Sequence, residues 1–222
     1  MREIWLKRRM SRVEIAESLG LNKSTITTIV SDLIDEGLVE PLSVGEAAPT
    51  GGRKPVYLGL NGEYGTVLGI ELRPESYTAV GVDMNGHILF SRSERVTLDG
   101  ANLRAGFEQI LDRVRSDHLQ GAPPLLGIGV GLSGVVDTEK QLIHYSIPLR
   151  IEHEYDFNAE IASRQQIPVF PENDANCCAW GELALHRSYS PRNFLFVRVE
   201  FRNIYRAEIM DEKTAVGMGV II

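Results

Sequence analysis

Apolar residues recur at helical spacing through the first third of the chain, and then the period changes. Ile4 and Trp5 lie in a short helical stretch, Arg2 to Arg9, that ends on a run of cations. Ile15, Ala16 and Leu19 follow at helical intervals, and Ile26, Ile29, Val30, Leu33 and Ile34 form an i, i+3, i+4, i+7, i+8 stripe. Ser11 and Glu14 make a capping box, in which hydroxyl and carboxylate each satisfy a free backbone N–H at a helix start. Gly20 suits the left-handed residue that ends a helix, Asn22 caps the next one, and Gly37 stops it. Leu38, Val39 and Glu40 then open an extended segment, and Val56, Leu58 and Leu60 alternate as a returning strand. The pattern predicts two helices meeting at a tight corner, followed by a two-stranded wing.

After a polar joint at Asn61 to Tyr64 the period is that of strands, which sets a domain boundary between residues 1–62 and 63–222. Val67 to Leu72, Tyr77 to Met84 and His87 to Val96 read as strands, the last two joined by an Asn85-Gly86 hairpin turn. Asp99 or Asn102 caps a helix whose apolar positions are Leu103, Phe107, Ile110, Leu111 and Val114. Leu125 to Leu132 is a buried, glycine-rich strand. A helix over Phe157 to Arg164, a strand at Val169 to Pro171, a helix over Ala175 to His186 and a strand at Phe194 to Glu200 complete the series. Hairpins followed by alternating helices and strands predict a mixed α/β fold, with helices on the faces of one sheet.

The second helix of the corner carries a chemistry. Lys23, Ser24, Thr25, Thr27 and Thr28 face outward from its first turns, while the acids Asp32, Asp35 and Glu36 lie at the other end. A helix that enters the major groove of double-stranded DNA presents its N-terminal residues to base edges, and its dipole favours phosphate there. The loop between the wing strands holds Gly51, Gly52, Arg53, Lys54 and Pro55. Its glycines let the chain approach a DNA backbone closely, with Arg53 reaching into a minor groove. With Arg12, at the end of the Lys7 to Arg12 cation cluster, these residues are the candidate DNA contacts. An ordinary core hairpin would share the helical pattern without the wing.

Composition changes this picture little. Residues 1–60 hold eight basic and eight acidic residues, which leaves the whole formal charge of −7 to the remainder. Grouped cations still allow DNA binding, because counterion release is local. No apolar run approaches the roughly 20 residues of a membrane span and the N-terminus lacks a signal-peptide core, so a cytoplasmic protein is expected. The adjacent Cys177 and Cys178 suit neither a relaxed disulfide nor a metal site of their own, and read as buried thiols. No cofactor or metal is expected.

Two stretches of the second part remain. Gly129 to Gly134 matches G-x-G-x-x-G, but Val135-Val136-Asp137 continues as extended chain where a dinucleotide site needs a helix to open. These glycines fit a tight turn beside a ligand cleft. Glu172, Asn173, Asp174 and Asn176 lie between a strand and a helix start, where open α/β sheets place ligands. A carboxylate beside carboxamides suits a polyol, with Asp174 accepting from one hydroxyl and Asn173 serving the next. Equally, either residue could simply cap the following helix.

The winged helix-turn-helix, the Gly51-Gly-Arg-Lys-Pro55 wing, Leu68-Gly-Ile-Glu71, Gly127 to Asp137 and Glu172-Asn-Asp-Ala-Asn176 together resemble the ROK family, in particular its transcriptional repressors of the xylose and N-acetylglucosamine regulator type. The resemblance implies a winged helix joined to a sugar-kinase-like domain of the actin-like ATPase fold. It further implies a homodimer on a DNA operator and release by a sugar or a protein. By position Asn173 and Asp174 match the family's sugar-contacting pair, Asp174 matches the kinases' base, and Gly134 lies in the adjoining motif. The rival reading is a hexose kinase using ATP. Against it, Glu71-Leu72-Arg73-Pro74-Glu75 stands where the kinases carry Asp-x-Gly-Gly-Thr, and bulky, partly acidic side chains there should fill the phosphate space and repel phosphate. No catalytic residue is therefore expected. Ser146-Ile147-Pro148-Leu149 also departs from the family's Ser-Pro-Asn-Leu. The sequence stops at Val216 to Ile222, which resembles a second phosphate loop. The family's cysteine-rich zinc site and Glu-x-Gly-His motif are absent. That implies an incomplete sugar-kinase-like domain, poor sugar affinity and an apolar end in need of a partner.

Overall fold

The computed structural model describes residues 1–45, 54–185, 194–203 and 212–221. The chain forms two compact units: Met1–Val67 with Gly81–Leu89 and Gly121–Leu125, and Leu68–Val80 with Phe90–Gln120 and Leu126–Ile222. Among the described residues no helix is long and apolar enough to cross a membrane.

The first unit contains α1 (Arg2–Lys7), β1 (Met10–Ser11), α2 (Arg12–Leu19), α3 (Lys23–Asp35), β2 (Val39–Val44) and β3 (Val56–Leu60). The corner forms for the local reasons read from the sequence. Ser11 Oγ accepts from the Glu14 N–H at 3.3 Å while Glu14 Oε2 accepts from the Ser11 N–H at 2.7 Å, closing the capping box. Gly20 takes φ 64°, and Asn22 Oδ1 accepts from the Thr25 N–H at 2.8 Å. At the far end of α3, Gly37 takes φ 76° and the Leu38 N–H reaches back to the Leu33 carbonyl at 2.9 Å.

The wing sheet has three strands, in the order β1-β3-β2, not two. The pair Met10↔Leu58 and Ser11↔Tyr57 adds β1, a strand too short to leave a periodic signal. Ile4, Met10, Ile15, Ile26, Val30, Val39, Leu58 and Leu60 form the core, with Trp5, Leu33, Ile34 and Met84 packed against it. Ile29, expected in the buried stripe, is 43% exposed. It lies about 100° around the helix from Val30, beyond the arc that α2 and β2 cover. The Met84 contact places the tip of the Asn85-Gly86 hairpin in this unit, where Asn85 Nδ2 also donates to the Leu60 carbonyl at 3.1 Å. The hairpin turn spans more than Asn85-Gly86: only Gly86 has positive φ, and Asp83 Oδ1 accepts from the N–H groups of both Asn85 and His87.

The Glu14 carboxyl is held below its ordinary value of 4.5 by the Ser11 N–H and then by the Ser11 hydroxyl. Its contribution to stability is therefore present above that value and is lost as pH falls through the lowered one. In thermal melts from about pH 6 to about pH 3, Glu14→Gln should be less stable at the upper end and converge with the wild type at the lower. Parallel curves would mean that the capping box contributes nothing.

The second unit is built on a five-stranded sheet, ordered β11-β7-β4-β5-β6: β4 (Thr66–Leu72), β5 (Ser76–Asp83), β6 (Ile88–Arg95), β7 (Leu125–Leu132) and β11 (Val169–Asn173). β7 and β11 run parallel, Ile128 opposite Val169 through Leu132 opposite Asn173. Helix α4 (Leu103–His118) buries the five apolar positions its spacing predicts. β8 (Val135–Asp137), β9 (Leu142–Tyr145) and β10 (Tyr155–Asp156) form a small antiparallel sheet beside it. The helix expected over Phe157 to Arg164 is one turn, α5 (Phe157–Glu160), then a separate 3-10 turn, with Phe157 and Ile161 buried. Helix α6 (Asp174–Leu185) follows β11 directly and packs on the ribbon of β12 (Phe194–Asn203) and β13 (Glu212–Ile221). A side chain at Gly219 would meet the Ala175 carbonyl at 2.5 Å. The side chains of Val220 to Ile222, expected to need a partner, lie outside the described residues.

Candidate DNA interface and ligand cleft

In the first unit, Lys23, Ser24, Thr25, Thr27 and Thr28 are all exposed on one end of α3. Their hydroxyls are already oriented. Ser24 and Thr25 donate to Asn22 Oδ1 at 2.7 and 2.8 Å, while Thr27 and Thr28 donate to the carbonyls of Lys23 and Ser24. With the protons directed inward, each threonine offers oxygen lone pairs and a methyl group outward, which suits base amino groups and the thymine methyl. Thr27 also joins Arg12 and Lys54 around a cleft of about 460 Å³, together with Ser11, Val13, Pro55 and Val56. Two cations thus flank the exposed end of α3. Among the described residues the buried Arg12 Nε has no hydrogen-bond partner. Arg9 stacks over the Tyr57 ring at 4.9 Å and so is committed to the wing. Arg53, the expected wing-tip contact, lies outside the described residues.

In the second unit, a cleft of about 420 Å³ opens between α6 and the sheet. β4 supplies Gly69 and Glu71, β5 supplies Thr78 and Val80, β7 supplies Gly129 and Gly131, and α6 supplies Asp174, Cys177 and Cys178. The bare glycines make a floor of backbone. Asp174 is held from several sides: Oδ1 accepts from the Ala175 N–H at 2.9 Å, and Oδ2 accepts from Ser133 Oγ at 2.6 Å and Arg198 Nη1 at 3.3 Å. Asn173 behaves differently. Its Oδ1 accepts from the N–H groups of Ala175 and Asn176, capping α6, and its Nδ2 donates to the Gly134 carbonyl at 2.8 Å. Gly134 tolerates no side chain, since a Cβ would lie 2.6 Å from the Tyr145 carbonyl. Asn173, Gly134 and Asp174 are therefore brought together, but of the three only Asp174 lines the cleft among the described residues.

Three features here escape a reading of the sequence. Leu72 is core, so of the five residues Glu71 to Glu75 it is Glu71 that enters the cleft, and that carboxylate is paired with Arg73 and Arg198 rather than left to repel. Cys177 is exposed and Cys178 half-buried, because α6 turns Ala175 and Ala179 to the interior instead. Burial still pushes the Cys178 thiol up, which keeps it protonated at neutral pH. Arg198 is the third, and no motif in the sequence marks it. The available signal was a lone cation in the apolar alternation of Phe194 to Val199, on the same face as Phe194 and Phe196.

Comparison with known proteins agrees with both halves of this description. A profile described as winged helix-turn-helix DNA-binding matches residues 1–40, and that of the ROK family matches residues 67–202. The xylose repressor of Bacillus subtilis is 26% identical over all of this chain and 54% of its own length. The DNA-binding transcriptional dual regulator NagC of Escherichia coli is 26% identical over 86% of the chain and 46% of its own. The chain thus spans about half the length of the curated relatives it matches. Among solved structures, a ROK family transcriptional regulator described as a homologue of the E. coli MLC protein superposes with TM-score 0.72 over 96% of this chain and 50% of its own, at 21% identity. The fold is thus a winged helix followed by the sugar-kinase-like α/β architecture, and with its profile matched from residue 67 to residue 202 the chain belongs to the ROK family.

Proposed function

We propose that this chain is a DNA-binding transcriptional regulator, a repressor of carbohydrate-utilisation genes that releases its operator when a sugar or sugar-derived effector binds. Residues 1–62 act as the DNA-reading domain and residues 63–222 as the effector domain, and two copies bind symmetric half-sites. The protein works in the cytoplasm, where its operator is. The observation that carries the reading is the exposed, hydroxyl-rich N-terminal end of α3 beside a cleft flanked by Arg12 and Lys54. Arg53 joins these contacts from the wing. The names of the relatives, a xylose repressor and NagC, support a carbohydrate signal. Asp174 meets the effector directly, while Asn173 and Gly134, clasped to each other, hold its loop in place.

Phosphoryl transfer is the weaker reading. The Asp174 oxygen that would take a hydroxyl proton already accepts from Ser133 and Arg198, and Glu71 stands in the space the phosphates would need. The test is selection from random duplexes at two salt concentrations. Enrichment of a palindromic site is the expected result. A folded chain that enriches no sequence at either salt would refute the DNA reading.

A further inference from the structure

The ligand cleft of the second unit holds a charge arrangement that effector binding alone does not require. Glu71, from β4, and Asp174, from the start of α6, aim their carboxylates at one point. The Arg198 guanidinium of β12 fills it, with Nη1 2.9 Å from Glu71 Oε1 and 3.3 Å from Asp174 Oδ2. The same Glu71 Oε1 also accepts from Arg73 Nη2 at 3.0 Å. The side chains of Asp174, Arg198 and Glu71 are 12%, 19% and 27% exposed, so these pairs are shielded from bulk water more than surface pairs are.

Two carboxylates converging in one cleft have few physical solutions: one protonates, a hard divalent cation bridges them, or a basic side chain stands between them. Here the third applies: among the described residues Glu71 and Asp174 are paired with Arg73 and Arg198. Among the described residues no group of three or more His, Cys, Asp or Glu is placed to hold a metal.

This arrangement selects among ligands. A divalent cation has to displace a guanidinium tethered to both of its prospective ligands, which act as its immediate neighbours at all times. A phosphate group meets arginines already engaged by carboxylates, and would bring two more negative charges beside those carboxylates. A neutral polyol disturbs none of this. Its hydroxyls can donate to remaining lone pairs on Asp174, and its CH faces can lie on the Gly69, Gly129 and Gly131 backbone.

We propose that Arg198 is the specificity-determining residue of this cleft: placed between Glu71 and Asp174, it serves as a built-in cation, so that the cleft accepts a neutral polyhydroxylated ligand and excludes divalent cations and phosphorylated ligands. The polyol half of this statement rests on the effector reading above; the cation half does not.

The test uses the full chain and Mn²⁺ as probe, with free ion followed by electron paramagnetic resonance. The wild type and the charge-preserving Arg198→Lys should bind none in the cleft up to about 1 mM, whereas Arg198→Met should gain one site in the range of about 0.1 to 1 mM. Glu71→Gln added to Arg198→Met should abolish that site. A wild-type site that Glu71→Gln removes would overturn the proposal, as would no gain in an Arg198→Met protein whose circular dichroism matches the wild type. Calorimetry on the wild type supplies an arm independent of variant folding. Neutral pentoses and hexoses should bind at least about tenfold tighter than their phosphates, and the opposite order would overturn the proposal. If no sugar binds in either form the effector reading fails, and with it the polyol half, while the Mn²⁺ results still decide the role of Arg198.

Discussion

Replacing Arg12 and Lys54 together by alanine is expected to weaken binding to every duplex by about a hundredfold at low salt and to flatten the salt dependence by about two units of slope. The reason is where the two side chains lie. They flank a cleft on one side of α3, at the first residue of α2 and in the loop just before β3, so both can reach phosphate but neither extends from the α3 face proposed to meet base edges. Each phosphate neutralised releases condensed counterions, and the logarithm of the affinity then falls with the logarithm of salt by about 0.9 per contact. Thr28→Ala should act oppositely, costing about 1 kcal/mol on the preferred site and little elsewhere, because a hydroxyl and a methyl group read bases rather than charge. Thr27 lines the cleft with the two cations but carries no charge, so Thr27→Ala should leave the salt slope unchanged. Titrations at several salt concentrations, on preferred and scrambled duplexes, separate these behaviours. A double variant with an unchanged slope would remove Arg12 and Lys54 from the interface.

Leu58→Ala should destabilise the helix and wing by about 3 kcal/mol, enough to abolish most of a small domain's margin. Leu58 is fully buried on the central strand of the wing sheet, opposite Met10 of β1 and Pro41 of β2. Removing its side chain leaves a cavity bordered by both neighbouring strands, which cannot collapse without breaking the pairing that holds α1 and α2 together. Trp5 packs on the same core and reports on it, while the other tryptophan, Trp180, is exposed and can be replaced by phenylalanine. Urea titrations monitored by Trp5 fluorescence should show the midpoint fall with an unchanged slope. Val44→Ala, at a position 65% exposed, should shift it by less than about 0.5 kcal/mol. Equal effects from both would mean that Leu58 is not part of a packed core.

Much of the fold is legible because its signals are local. The capping box of Ser11 and Glu14, the left-handed Gly20, the Asn22 cap and the periodicity of α3 and α4 each involve residues no more than a few positions apart. Such devices specify the same geometry whatever surrounds them, and α2, α3 and α4 lie where they predict. The combination of a winged helix with the glycine-rich and Glu-Asn-Asp motifs is likewise linear, and the family follows from it.

What the tertiary structure alone decided concerns exposure and partnership. The stripe on α3 does not say that Ile29 falls outside the arc covered by the core, because that depends on how far α2 and β2 reach around the helix. The pairing of Met10 and Ser11 with β3 takes two residues and leaves no period to detect. Between Asn173 and Asp174 the sequence offers two similar polar groups. Packing spends the first on the α6 cap and the Gly134 carbonyl and turns the second into the cleft. Arg198 meets Glu71 across 127 positions and Asp174 across 24, a charge balance that no local pattern encodes. Helices and strands arise from near neighbours and are written in order along the chain, whereas a binding site is made of side chains from distant strands, whose meeting is determined only when the sheet closes and their charges must be satisfied in the same small volume.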